Sequence, residues 1–409
     1  MSERRASPRP SVDPPDKRID GAPRDLTARR AHRAAASSPP PKTVTERAAM
    51  KPHVNSDELA AAYARLHGYG PEFGGDEEGN HGLTNHGPMA VEVMVRRGLD
   101  IGVQKWLDRY VHRLAELPDV GEPVQPDGWS AALGQARRLP DWTVYFQREL
   151  AERSWQDVLT EWWPRLLPGI VAGSTHGVIR VGHAVRALCA FPGAPVRPML
   201  DELAHGLAFW TARYRELTGV AMPTGSLTPQ QAVTAVNRLD NQRGFIAHRL
   251  DRLEHSPGWT ASLRLLQPAA STEEVPARLE TLVDSAARAY LGFGHAAPVL
   301  LVHAATAPNA VLHVLPALPT ELWQRSLTAA WAATAAIIAT YAPTQSAPEA
   351  EIRARLPELS REDALCRAAE HGDEHVLKFT DTAVESYDRT GDPVFLATTS
   401  LAGELIDRP

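Results

Sequence analysis

Ser56-Asp57-Glu58-Leu59-Ala60-Ala61-Ala62-Tyr63-Ala64-Arg65-Leu66 carries the pattern that the rest of the chain repeats. Leu59, Tyr63 and Leu66 recur on one helical face, and Ser56-Asp57-Glu58 reads as an N-cap with an acidic first turn. Moving outward, Pro88 suits the first position of a helix through Arg97, and Trp106, Tyr110, Leu114 and Leu117 keep the same spacing. Helical periods continue over 146–150, 155–167, 178–188, 199–217, 229–239, 272–291, 298–305, 321–341, 361–371 and 375–387. Alternating strand patterns are scarce, no repeat of fixed period occurs, and Pro192-Gly193 and Pro257-Gly258 mark turns between helices. The expected fold class is all-α, one large multi-helix domain over residues 50–409.

Composition bounds the function. The 409 residues include 43 basic and 49 acidic side chains, a net charge of -6, and 43% are hydrophobic, enough for a sizeable core. Residues 1–50 carry a net +5, so the remainder carries -11. An acidic body argues against a nucleic-acid partner, because duplex affinity comes largely from neutralising phosphates. The longest apolar run, 329–342, is too short for the ~18 residues of a membrane span, so no membrane partner is expected. Only Cys189 and Cys366 are present, which rules out a disulfide framework. Both are expected reduced in apolar helices, which fits a cytoplasmic location. Residues 1–49 hold eight of the 34 prolines and no aromatic residue, a composition that predicts a disordered extension. Arg4-Arg5 has no apolar segment behind it, so it is not a secretion signal, and Met50 reads as the native start.

Familiar cofactor motifs are missing. There is no Walker loop, no Gly-x-Ser-x-Gly elbow and no His-Glu-x-x-His. Gly292-Phe293-Gly294 has Ala297 where a dinucleotide fingerprint needs its third glycine, and it follows a helix rather than a strand.

The basic residues are 38 arginines and five lysines, and after Lys105 the remaining 304 residues contain one lysine, Lys378. Arginine cannot replace lysine where a neutral amine is needed. His375 and Lys378, three residues apart, share a helix face that Phe379 and Thr382 mark as inward. A buried lysine is costly unless paired or modified. As a carbamate formed with carbon dioxide it becomes a long carboxylate, and with His375 it mirrors the Glu-x-x-His metal motif of helical bundles. His86 in Asn85-His86-Gly87-Pro88 and His176 in Thr175-His176-Gly177 stand at helix starts, each beside a glycine. His303 lies among Val299, Leu300, Leu301 and Val302 with no polar face, and so needs a hydrogen-bond partner or a metal. Any one of these is more commonly a satisfied core histidine. His81 and His183 are neighbouring alternatives, whereas His112, His205 and His248 read as surface histidines on arginine-rich faces.

With these residues placed, the chain resembles the questin oxidase family. The resemblance is carried by Asn85-His86-Gly87-Pro88, by Trp163-Pro164-Arg165-Leu166-Leu167-Pro168-Gly169, by Thr175-His176-Gly177-Val178-Ile179-Arg180 with His183, by Val302-His303-Ala304-Ala305-Thr306 and by His375-Val376-Leu377-Lys378. It runs from about residue 57 to about residue 385. It implies a mostly helical fold with a mononuclear non-haem iron between helices, held by four histidines and a carboxylated lysine. Carried over, these are His86, His176, His303, His375 and Lys378, with carbon dioxide as the source of the carbamate. The implied activity is O2-dependent oxidation and cleavage of a ring in an anthraquinone-like polyketide. Arg180 stands where fungal relatives carry a histidine, so the substrate pocket is expected to differ. Trp162, Trp163, Phe209 and Trp210 are candidates for a flat pocket or for plain core. The rival expectations are an NADPH-dependent Baeyer–Villiger-type monooxygenase and a non-catalytic helical binder of an aromatic metabolite.

Overall fold

The computed structural model describes residues 55–72, 84–99, 102–191, 193–244 and 246–409. The compact unit is Lys51–Pro409. The expected extension 1–49, the start at Met50 and the alternative ligand His81 lie outside the described residues.

The first helix, α1 (Ser56–Leu66), buries Leu59, Ala62, Tyr63 and Leu66, the stripe its spacing predicts. Its N-cap is Asn55 rather than Ser56, since the Asn55 side chain accepts from the Glu58 N–H. Strand β1 (Tyr69–Glu72) follows, then α2 (Gly87–Arg97) and α3 (Val103–Tyr110). The helix expected to continue through Leu114 and Leu117 ends at Tyr110, and β2 (Leu114–Glu116) pairs antiparallel with β1, Glu72 opposite Leu114. This ribbon is the only sheet among the described residues, and most of the others are helical.

Next come α4 (Leu139–Glu152), α5 (Trp155–Leu166), α6 (His176–Ala190) and α7 (Arg197–Ala212). The periods read over 199–217 and 229–239 overshoot, because those helices stop at Ala212 and Ala235. Beyond α7 tertiary pairing takes over, with the Leu217 N–H donating to the Pro168 carbonyl at 2.9 Å. The C-terminal half supplies α8 (Val275–Phe293), α9 (His303–Val314), α10 (Trp323–Tyr341), α11 (Arg361–His371), α12 (Glu374–Thr390) and α13 (Val394–Leu405).

Helix α6 packs against both α7 and α9, α9 lies against α8 and α10, and α12 contacts α2, α8, α9, α11 and α13. Trp142, Trp162, Trp163, Trp210 and Trp331 are fully buried. Trp162, Trp163 and Trp210 are thus core, and Phe209 is only 4% exposed. The segment Pro298–Ala317 is long and apolar enough to cross a membrane, but 72% of it is buried inside the protein, as in a core helix. Cys189 and Cys366 sit on α6 and α11 as expected, yet both are exposed rather than interior.

A buried ion network ties α2, α6 and α12 together. Asp381 accepts from Arg96, from Arg97 Nε at 2.6 Å and from Arg186 Nη1 at 2.9 Å. Glu92 pairs with Arg186 and accepts from His183 Nδ1 at 2.9 Å. Three guanidinium groups therefore face three carboxylates, counting Glu385, and fix three helices whose N-terminal ends meet elsewhere.

Candidate metal centre

His86, His176, His303 and His375 each stand at a helix start: His86 is the N-cap residue of α2, His176 and His303 are the first residues of α6 and α9, and His375 is the second of α12. Residues spread along the chain converge here because the four helices begin at one place. Ligand atoms of His86, His176 and His375 all lie within 4.8 Å of one another, and all three residues are buried. Nε2 of His176 is 2.8 Å from Nε2 of His86 and 3.1 Å from Nε2 of His303. The His303 and His375 rings are 5.4 Å apart, centre to centre.

Two of these rings are oriented by local backbone. His176 Nδ1 donates to the Gly173 carbonyl at 2.6 Å, and His303 Nδ1 to the Leu300 carbonyl at 3.2 Å. Both acceptors lie three residues back, at a break in the helix, and each also accepts a backbone N–H, Gly173 from His176 and Leu300 from Val302. Before α9 the break is at Val302, where a short helix Pro298–Leu301 ends. Before α6 it is a left-handed turn, Gly173, Ser174 and Thr175, with φ of 53°, 57° and 69°. A left-handed conformation costs a non-glycine residue roughly 1–2 kcal/mol, and Thr175 is β-branched, so the turn stores strain next to the site.

His86 is oriented by a carboxylate. Its Nδ1 lies 2.7 Å from Glu72 Oε1, at the end of β1. The Tyr110 hydroxyl accepts from the His86 and Gly87 N–H groups at 2.6 and 2.8 Å, which directs its own proton to Glu72. A Cβ on Gly87 would lie 2.6 Å from the Tyr110 ring, so glycine is required for this approach. Arg113 donates to Glu72 at 3.2 Å and to Glu374 at 2.9 and 3.1 Å. Surrounded by donors, Glu72 is read as a carboxylate, although burial pushes its pKa up against Tyr110, Arg113, Lys378 and His86.

Burial pulls the pKa of His86, His176 and His375 well below the ordinary value and that of His303 down to about 3, with Lys378 acting in the same direction on each. All four are neutral at physiological pH. With Nδ1–H directed to Glu72, Gly173 and Leu300, the Nε2 atoms of His86, His176 and His303 are left as lone pairs, and those of His86 and His303 both face that of His176. That arrangement is repulsive unless a cation lies among them. With metal–nitrogen bonds of ~2.1 Å, adjacent ligands of an octahedron are ~3.0 Å apart and those of a tetrahedron ~3.4 Å. The observed 2.8 and 3.1 Å match the octahedral spacing.

Lys378 is 2% exposed, and its Nζ has no hydrogen-bond partner among the described residues. Burial pulls its pKa down to about 8, against the opposing pull of Glu374, Asp373 and Glu72. Of the five residues expected from the sequence, His86, His176 and His375 form a group that could hold a metal, His303 faces His176 at 3.1 Å, and Lys378 is a buried amine without a hydrogen-bond partner among the described residues, a donor set whose chemistry suits a metal ion.

Neither His183 nor His303 belongs to the groups of three that could hold a metal; His183 Nδ1 bonds Glu92, whereas His303 Nε2 faces His176 Nε2 within the cluster. His112 and His248 are exposed as expected. His205 is buried, contrary to expectation: its ring stacks on His67 at 4.6 Å beside the Arg180–Glu202 ion pair, which keeps those charges off the surface. Glu72, Tyr110, Arg113, Asp373 and Glu374 were not foreseen. Asp373 and Glu374 directly precede His375 in the sequence, but no local pattern marks Glu72. Glu72, His86 and Glu374 could also hold an ion, but the Arg113 guanidinium already bonds both carboxylates.

No curated protein matches the chain. The family described as questin oxidase-like matches residues 107–188, a span that contains Tyr110, Arg113, His176 and Arg180. This match supports membership of the chain in the questin oxidase-like family.

Proposed function

We propose that this protein is a non-haem iron oxygenase acting on a polycyclic aromatic polyketide, with His86, His176, His303, His375 and Lys378 as the ligands of one iron. The observation that carries this reading is the convergence of buried imidazoles, with His176 Nε2 at 2.8 and 3.1 Å from the Nε2 atoms of His86 and His303, and His86, His176 and His375 close enough to share one ion. A nitrogen-rich site with one hard oxygen suits iron. The substrate class follows from the family match.

Lys378 supplies the oxygen as a carbamate. Its neutral amine attacks carbon dioxide, an N–C bond forms, one C=O pair moves to oxygen, and an N–H proton leaves to water. At a pKa of about 8, roughly one amine in ten is free at pH 7, against fewer than one in a thousand for an ordinary lysine. The N-terminus of α12 favours the anion so formed.

Iron bound here would supply the one-electron chemistry through which dioxygen reacts with an electron-rich phenol. The chain's own residues do the rest. Gly173, Leu300 and Glu72 fix three rings, so the donor set is built before metal arrives. The burial of all five ligands keeps bulk water from the centre. His176 and His375, 8% and 7% exposed, are the least enclosed and mark the side from which a substrate ring approaches.

Metal analysis of protein purified without a histidine tag tests the proposal. About one iron per chain is expected, together with oxygen consumption on reduced anthraquinones. Absence of iron, with no uptake of Fe(II) by the metal-free protein, would overturn it.

A further inference from the structure

His86 differs from the other oriented ligands. His176 and His303 direct Nδ1–H to carbonyls on their own segments, three residues away. His86 directs it to a side chain fourteen residues distant, on a separate element. The β ribbon brings that side chain into place. Glu72 closes β1 opposite Leu114, so Arg113, just before β2, stands beside it and donates to Glu72 Oε2. Tyr110, the last residue of α3, donates to Glu72 Oε1 while accepting from the His86 and Gly87 amides. Glu72 is completely buried. A carboxylate so enclosed is retained only where its donors are fixed, and here the donors are fixed by the same tyrosine that caps the His86 helix.

We propose that Glu72 is the positioning carboxylate of the metal centre: it holds His86 in the Nδ1–H form, aims Nε2 at the point shared with His176, and strengthens that nitrogen as a donor. This rests on the reading of the histidine cluster as a metal site. Arg113 gives the acidic group its second property. By bonding Glu72 and Glu374 together it supplies the cation on the outer side of His86, so these carboxylates support the centre rather than form a second one. Glu72 touches no metal position; it acts through His86.

The test uses the full chain freed of metal by a chelator and titrated with Co(II) alone against a chromophoric competitor. The visible absorption of bound cobalt reports the ligand field. Glu72→Gln keeps shape and removes the charge; it is expected to weaken Co(II) binding 10–100-fold and to shift the cobalt bands. Glu72→Ala should lose more. Tyr110→Phe, which leaves the carboxylate but removes its donor, should give a smaller loss of the same sign. A purely structural Glu72 would lower the melting temperature and leave the cobalt spectrum and affinity of the folded fraction unchanged, which would overturn the proposal. If Glu72→Ala and Glu72→Gln both fail to fold, Tyr110→Phe decides: unchanged affinity and bands refute it. Wild-type protein that takes up neither Co(II) nor Fe(II) would instead refute the metal centre itself, and the role of Glu72 with it.

Discussion

Replacing Lys378 separates the metal reading from a structural one, because the two predict opposite signs for stability. Burial pulls the lysine pKa from 10.5 down to about 8. A lowering of that size corresponds to roughly 3 kcal/mol by which the metal-free fold is destabilised at neutral pH. Between pH 8 and 10.5 the unfolded chain binds the extra proton, so stability rises with pH across that window, and below pH 8 the whole penalty is present. Lys378→Met removes the charge and keeps the stem. The metal-free variant should therefore gain up to about 3 kcal/mol at pH 7 and lose the rise between pH 8 and 10.5. It cannot form a carbamate, so it should also lose iron. Lys378→Arg keeps a charge that cannot be shed and should lose both stability and iron. In the wild type, refolding without bicarbonate should lower iron occupancy. The assay is thermal unfolding in chelator at pH 7 and pH 9.5, with metal content measured in parallel. A Met variant that is no more stable and still binds iron, or an Arg variant that keeps iron, would refute the reasoning.

Gly173→Ala should cost roughly 1–2 kcal/mol from its left-handed φ alone, and its Cβ would lie 2.8 Å from the Phe209 ring; thermal unfolding and metal titration should both show a loss. Asp381→Asn leaves Arg96, Arg97 and Arg186 to share Glu92 and Glu385, one carboxylate short, so a loss of up to about 3–5 kcal/mol is expected in denaturant unfolding, with iron content reduced only through the unfolded fraction. The four histidines have folded pKa values below the unfolded one, so the unfolded chain takes up protons first as pH falls below about 6.5, and metal-free protein should lose stability steeply from there down. Melting curves at pH 7, 6 and 5 check this. Removing residues 1–49, singled out by proline content, should leave melting temperature and metal content unchanged.

The helical class was legible because apolar residues recur at helical spacing from Ser56 onward, a local property that needs no partner. What failed was what depends on distant pairing. Leu114 continues the helical period of Trp106 and Tyr110, yet it belongs to a strand, because β1 lies across from it. His205 sits among charged residues in sequence but is buried by stacking on His67 and by the Arg180–Glu202 pair. The candidate ligands were marked in the sequence for a different reason. Lys378 stood out as a lysine in an arginine-rich chain, and His86 and His176 as histidines beside glycine at helix starts. Glu72 left no such trace: its role is created by a ribbon pairing and by Tyr110, neither of which a single segment encodes.

The placement of all four histidines at helix starts has a physical logic. The break in the chain before α6 and α9 turns two carbonyls, Gly173 and Leu300, toward the ring of the histidine three residues on, and each accepts its Nδ1–H. The backbone thereby selects the ring form that leaves Nε2 bare, with no further side chain required. Where the local carbonyl is not used, at His86, a carboxylate takes its place. The same helix ends carry partial positive charge, which opposes protonation of the rings and favours an anion among them. Four imidazoles alone would leave that field without an anionic partner. The carbamate proposed on Lys378, one turn into α12, would provide one where burial disfavours the ammonium. On the proposed reading, the helix starts, the bare nitrogens and the buried Lys378 form one electrostatic arrangement, in which each feature is unfavourable without the others.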